Sequence, residues 1–261
     1  MTVLDLDKDM SPADDAALEP AEPSAGPPVC QLTSGTGDTG RILRFYRSER
    51  LLHWAIAVPF LVCFATALIL VVFYNPQPQR PYRALFSWMH RASGLCLMVL
   101  PLLAVYKSRG DFRVHFYNIK QAWTWVFDDF RWLSLMMAAS INPKIKLPDQ
   151  GKFNAAEKIN FMVLMSTYPL YIATGLFIWL THVAFVSWIM HTAMALLATP
   201  LILGHMYMAI VSRSGRPGLT GMKNGYVDRH WAKHHYAHWY REHFGHEEAA
   251  APEEKNPEVA N

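Results

Sequence analysis

Two histidines, His191 and His205, stand fourteen residues apart inside one apolar stretch, residues 187–212, SWIMHTAMALLATPLILGHMYMAIVS. In a helix they sit about 21 Å apart along the axis, and fourteen steps of about 100° bring both rings onto one face. Ionisable side chains inside a membrane span are costly and mark function. Neutral imidazole is a common metal ligand, and axial ligands are one lever a protein has on a haem iron. Two rings on one face at opposite depths predict two haems stacked across the membrane. Each iron then needs a second imidazole.

His53 and His90 can supply it. His53 lies just inside the start of the apolar stretch 51–74, at the depth of His205. His90, in SWMHRASG, lies near the opposite face in the stretch 84–106, at the depth of His191. Two pairs at two depths is what bis-histidine ligation of two b haems requires. Gly94, one turn past His90, and Gly204, beside His205, would let a flat macrocycle approach the backbone; small residues also serve helix packing. Arg91 and Arg50 are placed either to meet haem propionates or to snorkel to the interface. The other histidines read differently: His182 as interfacial, and His115 as solvated. His230, His234, His235, His238, His243 and His246 read as part of a cytoplasmic cap, with Trp231 and Trp239 packing down over the inner haem.

The elements that must hold these residues follow from composition. The 261-residue chain is 52% hydrophobic and 17% charged, and its mean hydropathy of +0.07 is diluted by two polar ends. Spans of about 20 apolar residues cross a bilayer. Four stretches qualify: 51–74, 84–106, 159–183 and 187–212. Backbone groups in lipid must bond within the segment, so the fold class is all-α, a four-helix transmembrane bundle. Arg41, Arg44, Arg47 and Arg50 precede the first span and basic residues follow the second and fourth, which places both termini in the cytoplasm. Pro59, Pro101, Pro169 and Pro200 are tolerated inside such helices.

Residues 1–40 have the composition of a disordered extension, and 41–212 form the transmembrane domain. Within it, the cytoplasmic connection 108–155 carries QAWTWVFDDFRWLSLMMA, an amphipathic helix lying on the membrane surface or against a partner, whose Asp128 and Asp129 read as a solvated face. Residues 213–246 form the cap, and 247–261 a free tail. Cys30, Cys63 and Cys96 show no CxxC or CxxCH spacing, which argues against iron–sulfur, zinc or covalent haem sites. Cys63 and Cys96 read as small packing residues. Asn154-x-x-Glu157 is a capping box for the third span, and Lys158 beside it reads as a positive-inside residue.

These stretches resemble a known family, the cytochrome b (gamma) subunit of membrane-bound respiratory formate dehydrogenases, related to the b-type cytochrome subunit of nickel–iron hydrogenases. The carriers are the start from Arg44 to Trp54, WMHRASG (88–94), GKFNAAEK (151–158), the thirteen-residue gap between His191 and His205, and GRPGLTGMKNGYVDRHWAKHHYAHWYRE. The resemblance implies that His90 and His191 hold the haem nearer the periplasm and that His53 and His205 hold the cytoplasmic one. It also implies a quinone site beside the inner haem, at Asn154 and Ala156, with alanine where the family usually has glycine.

The implied role is a di-haem electron-transfer subunit in the bacterial inner membrane. It would pass electrons from a partner iron–sulfur subunit to menaquinone or ubiquinone. No molybdenum, tungsten or NAD motif is present, so substrate oxidation belongs to a catalytic molybdenum or tungsten partner, and no catalytic residue is assigned here. Lipid is the surrounding partner; nucleic acid is not expected. A hydrogenase relay and a non-redox membrane anchor are the rival readings. A transporter would need inverted repeats or paired broken spans.

Overall fold

The computed structural model describes residues 40–75, 77–142, 144–181 and 184–250. A short strand β1 (Arg41–Leu43) leads into α1 (Arg47–Ile69), which runs on as one wide turn, Leu70–Tyr74. Next come α2 (Arg83–Lys107), α3 (Phe112–Trp123), α4 (Phe127–Ile141), α5 (Ala155–Thr181) and α6 (Phe185–Met206), the last again continued by a wide turn, Tyr207–Val211. Then follow α7 (Arg216–Asn224), β2 (Tyr226–Asp228), α8 (Arg229–His235) and α9 (Ala237–Ala250). The membrane-length apolar helices are Arg47–Tyr74, Arg83–Lys107, Ala155–Thr181 and Phe185–Val211, each within a few residues of the stretch the sequence predicts. All four expected prolines lie inside them.

α1 packs along α2, and α5 along α6, with thinner contact between the two hairpins. Large apolar side chains face outward along every span, Leu102, Leu180 and Leu196 among them, as lipid-facing helices require. The buried apolar cluster lies elsewhere. Ile42, Val227, Tyr236, Trp239, Tyr240 and Phe244 build it beyond the end of the spans.

That cap is organised by an antiparallel pairing the sequence does not announce: β1 on β2, Ile42 opposite Val227. It ties the residues before α1 to those after α7. Gly225, at φ +98°, ends α7 in the left-handed region that favours glycine, and its carbonyl accepts from the Arg44 and Phe45 amides. Arg44 is buried, its guanidinium 3.6 Å from the Tyr236 ring centroid, and it donates to the Lys152 carbonyl at 2.7 Å. Burial, reinforced by the facing Glu157 carboxylate, pushes the Tyr236 hydroxyl well above its ordinary range, so it stays a donor.

The helix starts at this end share one device. Glu49, Asp129 and Glu157 each sit in a first helical turn and accept from the amide three residues back: Tyr46 at 2.7 Å, Val126 at 2.9 Å and Asn154 at 2.9 Å. Each carboxylate also reaches a residue distant in the chain. Glu49 meets Lys152 at 2.6 Å and Asn118 at 2.6 Å. Asp129 meets Lys158 at 2.7 Å, and Glu157 accepts from Tyr236 at 2.8 Å. The Asn154–Glu157 capping box is present in both directions.

Several expectations need correction. Asp129 is not on a solvated face: it is 2% exposed and paired with Lys158, itself 6% exposed and also donating to the Thr124 carbonyl. Lys158 is therefore a buried partner rather than a free positive-inside charge. The amphipathic segment is two helices, broken at Thr124–Val126 where Asp129 caps a new start. His115 is half-buried against the Ser108 hydroxyl at 3.3 Å. Cys96 is exposed on its helix, whereas Cys63 is half-buried. α9 continues to Ala250, past the expected start of the tail. Cys30, His182 and most of the 1–40 extension lie outside the described residues.

Removing one partner of a buried ion pair typically costs about 3–5 kcal/mol, whereas replacing both by apolar residues is often near neutral. Asp129→Ala is therefore expected to lower thermal stability in detergent sharply. The double change Asp129→Leu with Lys158→Met should recover all but about 1 kcal/mol, the share of the lost cap. Equal loss in both proteins, by circular dichroism melting, would remove the pair from the account.

Candidate functional site

The four span histidines meet as two pairs. His53 on α1 faces His205 on α6 with ring centroids 6.4 Å apart and planes at 48°. His90 on α2 faces His191 on α6 with centroids 6.3 Å apart and planes at 75°. Both pairs join the α1/α2 hairpin to the α5/α6 hairpin. A metal–imidazole bond is about 2.0–2.1 Å, as known for zinc, and the ring centre lies roughly 1 Å further out, so two rings ligating one ion stand roughly 6 Å apart. Both separations fit one metal between two imidazoles.

The second nitrogens decide which atom is available to a metal. His90 Nδ1 lies 3.0 Å from the Cys63 carbonyl and 3.2 Å from Thr66 Oγ1. His191 Nδ1 lies 2.9 Å from Thr174 Oγ1. A carbonyl only accepts, so Nδ1 of His90 carries the proton and Nε2 keeps its lone pair. His53 is different. Its Nδ1 is buried with no hydrogen-bond partner among the described residues.

Near the His53 pair the cap is fastened by Arg50 and Trp54, which flank His53 along α1. Arg50 Nη1 donates to the Lys223 carbonyl at 2.8 Å and Trp54 Nε1 to the Met222 carbonyl at 3.0 Å. Both bonds satisfy carbonyls in the last turn of α7. Arg50 thus serves the cap, and Trp54 stands edge-on to His53 at 5.1 Å. Trp231 stacks on His235 at 5.0 Å, and Trp239 is buried in the cap cluster. Arg91, beside His90, lies 5.4 Å and 5.6 Å from the rings of Trp88 and Trp179.

The glycines sort into two kinds. An added Cβ at Gly94 or Gly204 would meet no heavy atom within 4 Å, which leaves open backbone beside His90 and His205 for a flat ligand. Gly175 does the opposite: a Cβ there would meet His191 Cε1 at 3.3 Å. Its missing side chain lets the imidazole lie against α5. Thr66, Thr174 and Gly175 are the site residues the sequence reading misses. The available signal was a hydroxyl inside an apolar span, in ATGLF and in FAT.

The remaining candidates lie at the start of α5. Asn154 is half-buried, with Oδ1 accepting from the Glu157 amide at 2.9 Å, and Ala156 is half-buried in the first turn. Among the described residues the cap histidines are not brought into a ligand set, and no group of three or more potential metal ligands occurs. Burial pushes His235 below its ordinary value, which keeps it neutral as it donates to the Trp231 carbonyl at 3.1 Å.

The prokaryotic cytochrome b561 family matches residues 44–225. The chain belongs to that family. Haem b is accordingly its cofactor class, and the facing imidazoles and open glycines fit it. The chain is 29% identical, over 75% of its length and 88% of the relative, to the cytochrome b556(Fdn) subunit of the nitrate-inducible formate dehydrogenase of Escherichia coli. It is 24% identical, over 75% of its length and 81% of the relative, to the formate dehydrogenase cytochrome b556 subunit of Haemophilus influenzae. A second Escherichia coli relative, the formate dehydrogenase cytochrome b556(fdo) subunit, is 24% identical with 90% of it covered.

Groups that orient a metal ligand from outside typically govern affinity by about 10–100-fold. Gly175→Ala must push the His191 ring by a few tenths of an ångström. Haem titration of the purified protein should show about tenfold weaker binding at the His90/His191 pair, with the other pair unaffected. Unchanged affinity would mean that the ring is not held by its fit against α5.

Proposed function

We propose that this chain is the di-haem cytochrome b subunit of a formate dehydrogenase complex, delivering electrons from a partner iron–sulfur subunit to a membrane quinone. The observation that carries the reading is the two facing imidazole pairs, 6.3 Å and 6.4 Å apart, at two levels of a four-span bundle. The named relatives are formate dehydrogenase subunits, and they supply the substrate class.

When bound, two b haems supply one-electron transfer between the two faces of the membrane. His90 and His191 hold the outer one and His53 and His205 the inner one, each through an imidazole nitrogen. Apolar helices keep water from both levels. The basic run Arg41, Arg44, Arg47 and Arg50 supports a cap end in the cytoplasm of a bacterial inner membrane, with both termini on that side. The quinone site lies beside the inner pair, at Asn154 and Ala156. Asn154 Oδ1 already serves the helix cap, so its amide group is the part left to meet a quinone oxygen. Formate oxidation takes place in a molybdenum or tungsten subunit, joined through the iron–sulfur partner at the outer face.

Spectroscopy of variants tests the assignment. His90→Ala and His53→Ala should each retain one haem of the two, and not the same one. A short-chain quinol should still reduce the haem left in His90→Ala, because the inner level remains beside the quinone site. It should fail to reduce the one left in His53→Ala. Two haems in either variant, or the opposite pattern of quinol reduction, would contradict the proposal.

A further inference from the structure

The two rings of the outer pair are held by the same device, built twice. Thr66 on α1 donates its hydroxyl proton to the Val62 carbonyl four residues back, at 2.7 Å. Thr174 on α5 does the same to the Leu170 carbonyl, at 2.6 Å. Each hydroxyl has one proton, already used within its own helix, so its lone pairs face the neighbouring helix as acceptors. Each meets an imidazole Nδ1 there: Thr66 that of His90 at 3.2 Å, Thr174 that of His191 at 2.9 Å. The Cys63 carbonyl, three residues before Thr66, is a second acceptor for His90 Nδ1, at 3.0 Å.

We propose that Thr66 and Thr174 are positioning residues. They fix both outer imidazoles in the tautomer with Nδ1 protonated and Nε2 free, and they make the haem held there the lower-potential one. This rests on the reading of His90 and His191 as axial ligands. A ligand imidazole that donates its other N–H is more basic, and a more basic ligand favours ferric over ferrous iron. Hydrogen bonding around the ligands is one of the levers on a haem potential. The inner pair lacks a matching contact at His53, whose Nδ1 finds no partner among the described residues. The asymmetry puts the lower potential at the outer face and the higher one beside the quinone site. That order suits electrons entering from outside.

Valine removes the hydroxyl with little change of shape, and serine keeps it. In the purified full-length haem protein, potentiometric titration should show the outer haem of Thr174→Val shifted upward. A tenfold weaker preference for ferric iron is about 59 mV for one electron. Thr66→Val should shift it less, because the Cys63 carbonyl is the nearer acceptor for His90. The double variant should shift most, the inner haem should stay in place, and Thr174→Ser should restore the wild-type value. Should valine cost the outer haem altogether, recovery by serine supports the proposal equally. An unshifted outer potential in the double variant, a shift shared by both haems, or a serine variant as altered as valine would each overturn it. If His90→Ala keeps both haems, it is the ligand assignment that fails.

Discussion

An imidazole inside an apolar bundle has two ring nitrogens to satisfy. Four of them, facing in two pairs across the gap between the hairpins, set the terms for the rest of this structure. At His90 and His191 one nitrogen is given to a carbonyl or a threonine hydroxyl of the adjacent helix. The two rings stand 6.3 Å apart, a separation that suits a metal ion between them. Since α6 provides one ring of each pair, it must keep its register against both α1 and α2. A slip of one residue would turn both rings by about 100°.

The end of the bundle next to His53 carries the structure that holds this register. Packing between the two hairpins is thin, and lipid offers no hydrophobic drive for helices to associate. Polar ties replace it. Glu49, Asp129 and Glu157 each close a helix start and bind a residue far away in the chain. Glu49 lies one turn before His53, so its pairing with Lys152 links that part of α1 to the approach to α5. Arg50 and Trp54, on either side of that ring, anchor the last turn of α7. Of these ties, the Glu49–Lys152 and Asp129–Lys158 pairs are buried.

Much of this was legible in the sequence, for physical reasons that can be named. Membrane-length apolar runs leave the helix little choice, so the spans were found to within a few residues. Fourteen residues between His191 and His205 dictate a shared face, and matching depths picked out His53 and His90 before any coordinate. The Asn154–Glu157 cap was visible because both of its partners are local. What stayed hidden was tertiary. Nothing local distinguishes Asp129 from its exposed neighbour Asp128, since burial depends on Lys158 arriving from another helix. The β1–β2 pairing joins two three-residue segments more than 180 residues apart in the chain. Thr66 and Thr174 look like ordinary span residues until the neighbouring helix brings an imidazole to each.

The central claim is that the chain binds two haems, each between two histidines. A pyridine haemochrome assay on the purified, folded full-length protein, combined with electron paramagnetic resonance of its oxidised form, tests that most directly. The account predicts about two b haems per chain, both low-spin. One haem per chain, a high-spin majority, or folded protein without haem would contradict it.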